Sequence, residues 1–263
     1  MKKTIVITGS TRGIGYSMAE AFLGKNCTVV ISGRTMQAVN AAVTKLSEKY
    51  SEQHILGFAC DVTDFLQIQK LWEIAKERFI NVDIWINNAG TASPMMNFWE
   101  LSPQQYSSVV QTNILGTMYG SKVAITGMLA QGYGALYNME GFGARGRGMN
   151  GMSLYGSSKA AVHFLNQSLA NEMLDTPVII GAIAPGMVIT DMVTQQFTGR
   201  EEELEKAKRV LNIIAERAET VAPVLVEKIL SNRKNGVTIA YSSSLRIMGK
   251  FLTAPFHKRN LFP

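Results

Sequence analysis

Short apolar runs alternate with longer segments of helical spacing along most of the chain, and this alternation constrains the fold more than any other feature. Runs that are apolar throughout are typical of strands buried on both faces, as in parallel sheets covered by helices. The pattern therefore predicts an α/β fold with a parallel sheet of about seven strands. The predicted strands are residues 4–8, 28–32, 55–59, 82–86, 135–139, 178–184 and 237–241.

The intervening segments carry apolar residues at i, i+3 and i+4, which is the spacing of one helix face. In the third segment this reading places Leu66, Leu71, Ile74 and Ala75 inward. No linker, repeat or low-complexity stretch interrupts the series, so residues 1–263 are predicted to form a single domain. The predicted helices are residues 14–24, 35–50, 64–79, 103 to about 129, 153–173, 200–217 and 221–231.

The composition limits the classes of function. Hydrophobic residues make up 46% of the chain and charged residues 17%, which is typical of a globular protein. The net charge is +6, but Lys and Arg are spread out except near the C-terminus, which favours anionic small molecules over nucleic acid as ligands. Cys27 and Cys60 give no disulfide framework, so a reducing, cytoplasmic location is expected. No apolar run reaches the ~18 residues of a membrane span.

A glycine-rich turn, Gly9-Ser10-Thr11-Arg12-Gly13-Ile14-Gly15, joins the first predicted strand to the first predicted helix. Its glycines allow a tight turn and let backbone N–H groups approach a pyrophosphate at the helix N-terminus. At this place in a βαβ unit the spacing indicates a dinucleotide site. The turn is therefore predicted to contact the cofactor through Gly9, Ser10, Arg12, Gly13, Ile14 and Gly15.

The end of the second strand indicates which dinucleotide binds. An NAD site places a carboxylate there for the ribose diol, but this chain has Gly33 and Arg34. Arg12 and Arg34 together favour a 2′-phosphate, hence NADP(H), unless both are only surface arginines. Asp61 and Val62 follow the third strand and are predicted to contact the adenine, although Asp61 is also a possible helix N-cap.

Tyr155 and Lys159 lie four residues apart on a predicted helix, so the hydroxyl and the ammonium share one face. A cation beside a phenol favours the phenolate and lowers its pKa, which suits proton transfer to or from an alcohol oxygen. Taken alone, the pair also fits a solvated helix face. His54 and His163 have no companions at metal-ligand spacing, so ordinary structural roles and no metal site are predicted.

Three further segments complete a pattern. Asn87-Asn88-Ala89-Gly90 follows the fourth strand, Asn113 lies in the long helix, and Pro185-Gly186-Met187-Val188-Ile189-Thr190 follows the sixth strand. With the glycine-rich turn, Tyr155 and Lys159, residues 4 to about 192 resemble a short-chain dehydrogenase/reductase. The resemblance implies a single-domain, Rossmann-like doubly wound sheet with the cofactor across the carboxyl ends of its strands.

The resemblance also implies roles for these residues. Tyr155 is expected to donate the proton to a carbonyl oxygen, and Lys159 to lower its pKa and to bind the nicotinamide ribose. Asn113 is expected to hold a water in a proton relay that reaches Lys159, unless it only ties two strands through main-chain bonds. Further cofactor contacts are expected from Asn88, Ala89 and Gly90 at the adenosine ribose, from Val188 and Thr190 at the carboxamide, and from Pro185 and Gly186, although Gly186 could serve only as a turn.

One residue of the family pattern is missing. A serine that hydrogen-bonds the substrate oxygen is expected near Gly141, but no serine or threonine stands between Gly134 and Met152. Ser153 or a backbone N–H is a possible substitute. The segment Asn138-Met139-Glu140-Gly141 is similar to the Asn-Met-Asp-Gly pattern of chlorophyll b reductases in this family.

The predicted function is an NADP(H)-dependent oxidoreductase that transfers hydride between nicotinamide and the carbonyl or alcohol of a fairly apolar small molecule. Because the serine is missing, the alternative is an NADPH-binding sensor or partner-docking module with little catalysis. Nucleic acid is not expected as a partner. The family's habit of pairing through its long helices implies a homodimer or homotetramer.

From about residue 243 the chain alternates apolar and basic residues up to its C-terminus. This pattern fits a flap over an apolar substrate or a patch that rests weakly on an anionic membrane surface. It fits equally a tail that packs on its own domain or on a partner subunit.

Overall fold

The computed structural model describes residues 2–146, 148–242, 250 and 259–262. Its main strands are β1 (Thr4–Ile7), β2 (Thr28–Gly33), β3 (Ile55–Ala59), β4 (Ile84–Asn87), β5 (Gly134–Met139) and β6 (Val178–Ala184). The short strands β7 (Val188–Ile189) and β8 (Glu216–Arg217) pair with each other, and β9 (Val237–Ala240) follows. The main sheet has seven parallel strands in the order β3-β2-β1-β4-β5-β6-β9, which confirms the predicted fold class.

Helices cover both faces of this sheet. They are α1 (Gly13–Gly24), α2 (Met36–Ser47), α3 (Phe65–Phe79), α4 (Pro103–Val109), α5 (Gly116–Gln131), α6 (Ser153–Glu172), α7 (Asp191–Gln195), α8 (Glu201–Ile214) and α9 (Ala218–Ser231). One core cluster joins α1, α2 and α9 to the sheet, and a second joins α3, α5 and α6.

Strands contribute side chains to both core clusters, because successive side chains of a strand point to opposite faces of the sheet. In β1, Ile5 and Ile7 belong to the cluster with α1 and α9, whereas Val6 belongs to the cluster with α3 and α5. In β4, Trp85 likewise faces the second cluster. This double burial is the reason that the strands are apolar throughout.

The chain order in the sheet reverses between β1 and β4. In doubly wound sheets, the loops that leave the carboxyl ends of two such strands diverge and open a crevice. Here those loops are the glycine-rich turn and the segment that begins at Asn88. The fold therefore brings together the two segments that the sequence marks for nucleotide binding.

The structure corrects the predicted inner face of α3. Leu66 is 72% exposed, whereas Ile68 and Trp72 are buried with Leu71 and Ala75. Positions 68, 71, 72 and 75 follow the spacing i, i+3, i+4 and i+7 of one helix face, and Leu66 falls outside that face. The helix begins after Asp64, which accepts from the backbone N–H groups of residues 66 and 67.

The helix predicted for residues 200–217 is too long. It ends at Ile214 because Ala215 is extended, with φ −78° and ψ 164°. The backbone N–H of Glu216 donates to the carbonyl of Met187 at 3.0 Å, which starts the pairing of β8 with β7. The helix predicted for residues 103 to about 129 is present, but it contains a π-helical turn at Val110–Leu115.

The described C-terminal residues pack on the domain itself. Glu216 pairs with Lys250 at 2.6 Å and with Arg259 at 2.5 Å, and Phe262 is buried. The rest of the basic and apolar segment, residues 243–249, 251–258 and 263, lies outside the described residues. The proposed flap and membrane contact therefore stay predictions.

Cys27 and Cys60 are both free and buried. Burial raises the pKa of the Cys60 thiol to about 12. Within the described part of the chain, no helix combines the length and apolar character that a membrane crossing requires.

Candidate active site

A cavity of about 2290 Å³ opens along the carboxyl edge of the sheet. Ligand pockets usually measure roughly 300–1,000 Å³, so this one has room for a dinucleotide and a second molecule. Every predicted site residue lines it except Ser10 and Asn113, which are fully buried. The lining residues are Gly9, Arg12, Gly13, Ile14, Gly15, Arg34, Asp61, Val62, Asn88, Ala89, Gly90, Tyr155, Lys159, Pro185, Gly186, Val188 and Thr190.

The glycine-rich turn packs directly on the segment after β4. Gly9 has φ 61°, and a Cβ atom there would lie 2.8 Å from the Cα of Ala89, so only glycine fits. Thr8 Oγ1 accepts from the backbone N–H groups of Asn88 and Ala89 at 3.0 and 3.1 Å. Asn88 Nδ2 donates to the carbonyls of Thr8 and Gly9, both at 2.9 Å. The Asn88 amide nitrogen thus holds the turn in place, and the predicted ribose contact of Asn88 stays a prediction.

The N-terminus of α1 fits an anionic group. No side chain among the described residues caps this helix, and its first turn has no acidic residue. The backbone N–H groups of Gly13, Ile14 and Gly15 belong to that first turn, so they lack acceptors within the helix and face the cavity edge. The helix dipole favours negative charge at the same place. This end of the cavity therefore suits the pyrophosphate of a dinucleotide.

The structure contradicts one predicted cofactor contact. Ser10 is fully buried and does not line the cavity. Its Oγ donates to the carbonyl of Ile7 at 2.7 Å and accepts from the N–H of Ser32 at 3.0 Å, while its own N–H donates to the carbonyl of Ser32. Ser10 joins β1 to β2 because its side chain turns back into the sheet, so its hydroxyl and its N–H are both engaged within the fold.

The two arginines predicted to hold a 2′-phosphate differ. Arg12 Nη1 donates to Asp191 Oδ2 at 3.1 Å, and both side chains are about two-thirds exposed. Arg34 is exposed at the cavity edge and makes no hydrogen bond or ion pair with the described residues. Between them, Gly33 leaves room for Thr11, whose Cγ2 would lie 2.6 Å from a Cβ at position 33. Arg34 is therefore the cation that is free to meet an added phosphate.

Asp61 is not the cap of α3, since Asp64 takes that role. Asp61 Oδ1 accepts from the N–H and the hydroxyl of Thr63, both at 2.9 Å. These bonds hold the carboxylate at the cavity edge next to Val62, which is buried against Gly116. This geometry leaves the second oxygen of Asp61 available for the predicted adenine contact.

Tyr155 and Lys159 occupy the other end of the cavity on α6. Lys159 is 5% exposed, and its Nζ donates to the carbonyl of Met139 at 3.0 Å. The same Nζ lies 5.8 Å from the centroid of the Tyr155 ring. The pair is therefore not a solvated surface pair.

Burial has the opposite effect on Tyr155 from the predicted one. Loss of solvation raises the pKa of Tyr155 to about 12, so the residue is a neutral phenol. Burial also lowers the pKa of Lys159 to about 8, and the negative charge of Glu140 opposes that shift. The predicted lowering of the Tyr155 pKa by the adjacent cation is therefore wrong, because burial desolvates both Tyr155 and Lys159.

Asn113 sits in the π-helical turn and is fully buried. Its Oδ1 accepts from the N–H of Thr91 at 2.8 Å, and its Nδ2 donates to the carbonyl of Thr91 and to Ser158 Oγ at 2.9 and 3.0 Å. Its carbonyl accepts from Thr117 Oγ1 at 2.8 Å. The side chain of Asn113 joins three elements, and its predicted water relay stays a prediction.

The place of the missing serine is filled by Tyr155. A Cβ atom at Gly141 would lie 2.5 Å from the Tyr155 hydroxyl oxygen and 3.3 Å from Lys159 Cγ. Ser153 does not replace the serine, because it is exposed at the start of α6 and does not line the cavity. The backbone N–H groups of Phe142 and Gly143 make no hydrogen bond within the described chain, and both residues line the cavity.

The loop after β6 closes the cavity from the other side. Gly186 has φ 75° and open space beside it, while Val188 is buried in β7. Thr190 reaches the glycine-rich turn, where its Cγ2 would lie 3.4 Å from a Cβ at Gly13. Gly186 is thus a turn residue, and it also leaves space on the cavity side.

Sequence reasoning missed one pair of residues. His163 Nδ1 lies 2.6 Å from Glu140 Oε1, and the Glu140 side chain is only 2% exposed. Glu140 follows β5 directly, lines the cavity, and stands between Met139 and Gly141. Two signals could have revealed the pair: a carboxylate in an otherwise apolar buried segment, and a histidine four residues after Lys159 on the same helix face.

These features together define a nucleotide-dependent oxidoreductase fold, and comparison with known proteins gives its family. The model of the short chain dehydrogenase family matches residues 3–201. The chain belongs to the short-chain dehydrogenase family.

Two curated relatives are informative. Chlorophyll(ide) b reductase NOL of Oryza sativa subsp. japonica, a chloroplastic protein, is 37% identical over 86% of this chain. The chain spans 66% of that protein, which is less than two thirds of its length. The 3alpha-hydroxysteroid dehydrogenase of Mediterraneibacter gnavus is 32% identical over 73% of this chain and 76% of its own. Because the plant relative is chloroplastic, the cytoplasmic location stays a prediction.

Among solved structures, ElxO with NADP bound superposes with a TM-score of 0.80 at 27% identity. The match covers 92% of this chain and 97% of that one. Levodione reductase has a TM-score of 0.82 at 24% identity, a likeness that concerns the fold. A neighbour of the same fold therefore carries NADP.

Proposed function

We propose that this protein is an NADP(H)-dependent reductase or dehydrogenase that interconverts a carbonyl and an alcohol on a large, apolar molecule. One observation carries the proposal: a neutral phenol, Tyr155, and a buried cation, Lys159, face the same cavity that has an uncapped helix N-terminus at its other end. Hydride transfer to a carbonyl requires a proton donor and a dinucleotide-binding site in one cavity.

The residues fit the cofactor along the whole cavity. Gly13, Ile14 and Gly15 would hold the pyrophosphate through backbone N–H groups, with Gly9 shaping the turn. Arg34 would meet the 2′-phosphate because it has no other partner among the described residues. The relative with NADP bound supports this cofactor. Further contacts are assigned to Arg12, Asp61, Val62, Asn88, Ala89, Gly90, Lys159, Pro185, Gly186, Val188 and Thr190.

The bound nicotinamide would supply the hydride, and the protein's own residues would handle the proton. Because its pKa is about 12, Tyr155 keeps its proton at neutral pH and can donate it to a carbonyl oxygen as negative charge develops there. The phenolate that remains would be stabilised by the Lys159 ammonium. In place of a serine hydroxyl, the free N–H groups of Phe142 and Gly143 would stabilise the substrate oxygen.

The walls beyond Tyr155 indicate the substrate class. They carry Phe142, Met149, Met152, Met187, Met192 and Phe197, which give an apolar surface with adaptable thioether side chains. Such walls suit a rigid ring system of the size of a steroid or a tetrapyrrole. The names of two relatives, a chlorophyll(ide) b reductase and a hydroxysteroid dehydrogenase, support this size class.

Two exposed apolar faces support the predicted self-association. Val110 and Leu115 in the π-helical turn and Met118 on α5 are exposed, and Phe164 on α6 is 70% exposed. A second copy of the chain would cover these residues. We therefore retain the homodimer or homotetramer as part of the proposal.

A second function is a cofactor-holding module without chemistry. It is favoured by the packing of the Tyr155 hydroxyl against Gly141, because position 141 then offers no side-chain donor to the substrate oxygen. Oxidation of NADPH by the purified full chain, with ketones and aldehydes graded from small aliphatics to steroids and tetrapyrroles, distinguishes the two functions. We expect turnover that rises with the apolar area of the substrate. Tight NADPH binding with no turnover across the panel would favour the module.

A further inference from the structure

Lys159 is buried with little to stabilise its charge. Its one hydrogen bond to a described residue goes to the carbonyl of Met139, and a Cβ at Gly90 would lie 3.8 Å from its Nζ. A buried ammonium loses most of its hydration, which disfavours the charged form. The reaction proposed above needs that charge, so the site needs a compensating group.

The surroundings of Lys159 supply one such group. On its own helix, α6, the titratable neighbours are Tyr155 and His163, and the segment after β5 contributes Glu140. The segment after β4 and the π-helical turn contribute only uncharged groups, Gly90 and Asn113. Glu140 stands between two residues that meet Lys159: the carbonyl of Met139 accepts from Lys159 Nζ at 3.0 Å, and a Cβ at Gly141 would lie 3.3 Å from Lys159 Cγ. The two groups do not form an ion pair within 4.0 Å, but the negative charge of Glu140 raises the pKa of Lys159 against the lowering by burial.

His163 fixes the position of this carboxylate. With Glu140 ionised, His163 Nδ1 carries the proton and donates to Glu140 Oε1 at 2.6 Å. The histidine side chain is 25% exposed, whereas that of Glu140 is 2% exposed. The pair therefore extends from the solvent-exposed side of α6, at His163, to the cavity lining, at Glu140. Lys159 and His163 are one helical turn apart, so both reach the chain segment that carries Glu140.

We propose that Glu140, held by His163, is the counter-charge that keeps Lys159 in its ammonium form, and that the pair is a positioning element of this site. The inference rests on the proposed function, because a counter-charge for Lys159 matters only in a reaction that uses the Lys159 ammonium. It assigns a role to the glutamate that stands directly before the glycine where the family serine is missing.

The direct test is the titration of Lys159 itself. Protein with ¹³C-labelled lysine side chains is titrated by NMR, with the Lys159 signal identified by its loss in Lys159→Arg. Wild-type Lys159 should titrate near pH 8. Glu140→Gln should lower the midpoint by at least about one pH unit, because the ammonium loses its counter-charge. Glu140→Asp, which keeps the charge, should stay within about half a unit of the wild type.

Glu172→Gln is the matched control, since Glu172 is exposed on the same helix and outside the cavity. If Glu140→Gln does not fold, the double variant Glu140→Leu with His163→Leu removes the pair without leaving one partner buried alone. It should show the same lowered midpoint. A midpoint that stays at the wild-type value in these variants overturns the inference.

Activity gives a second readout that a merely structural role would not move. The ammonium form is present below the Lys159 pKa and lost above it, so wild-type turnover should fall above about pH 8. In Glu140→Gln the fall should begin at lower pH, with about fivefold less turnover than wild type at pH 8 for a midpoint lowered by one unit, and near parity at pH 6. If wild type turns over nothing, the proposed function fails while the NMR result still decides the role of Glu140. Normal turnover with an unmoved pH profile would contradict this inference alone.

Discussion

The two ends of the cavity differ in the chemical groups that form them. The nucleotide end consists largely of backbone atoms and glycines, and the charged side chains of Arg12, Arg34 and Asp191 are exposed to solvent there. The reacting end consists of side chains from one helix packed on β5, and its charges, Lys159 and Glu140, are buried. Exposed charges are screened by water and ions, whereas buried charges are screened much less. Substitutions at the reacting end should therefore have larger effects than substitutions of charges at the nucleotide end.

The largest of the effects that test this comparison is expected at Gly141. Restoring the family serine with Gly141→Ser places a Cβ 2.5 Å from the Tyr155 hydroxyl oxygen, so the hydroxyl must move. A displacement of this size costs about 100-fold in turnover, and we expect that loss with NADPH affinity unchanged. Steady-state kinetics and a binding titration measure both. Gly148→Ser, in the same loop with open space around it, is the control. Higher activity in Gly141→Ser would mean that the hydroxyl is mobile.

A smaller effect is expected for the cation at the nucleotide end. Arg34→Asp removes the free guanidinium and adds a like charge beside a 2′-phosphate, so NADPH should bind about 10- to 100-fold more weakly. NADH lacks that phosphate, and its affinity should not fall. Fluorescence titration with both cofactors gives the ratio. Arg209→Asp, an exposed change on α8 outside the cavity lining, should leave both affinities unchanged. An unaltered NADPH preference in Arg34→Asp would place the 2′-phosphate elsewhere.

The smallest effect is expected for the exposed ion pair. Asp191→Asn frees Arg12 and removes a negative charge from the cofactor crevice, so NADPH should bind about 2- to 5-fold more tightly at low salt. The gain should vanish as salt is raised, which calorimetry at two ionic strengths would detect. Asp175→Asn lies outside the cavity lining and serves as the charge-matched control. Weaker binding would show that Asp191 helps to hold the cofactor.

The fold and the nucleotide end were largely predictable because they depend on local chemistry. Apolar strand runs identify buried parallel strands, and Gly9 meets the need for a positive φ close to Ala89. Where prediction failed, the cause was non-local. Residues 215–217 are compatible with a helix but pair with β7, which lies far away in sequence. Ser10 sits in a cofactor-binding motif, yet its bonds go to β1 and β2.

The reacting end was predictable in its residues but not in its electrostatics. The spacing of Tyr155 and Lys159 correctly placed both on one helix face, and from that spacing a lowered Tyr155 pKa followed. How deeply the pair is buried depends on packing against β5 and the residues after it, which no local pattern reveals. The same holds for Glu140 and His163, which are 23 positions apart and meet only in the folded chain.

The central claim is that Tyr155 supplies the proton in a reductase reaction that depends on NADPH. The most direct measurement compares wild type with Tyr155→Phe for NADPH binding and for NADPH oxidation with the best large apolar carbonyl. We expect Tyr155→Phe to bind NADPH within about twofold of wild type and to lose at least about 100-fold in turnover, because a proton donor contributes roughly that much. Equal turnover in the two proteins would contradict the claim.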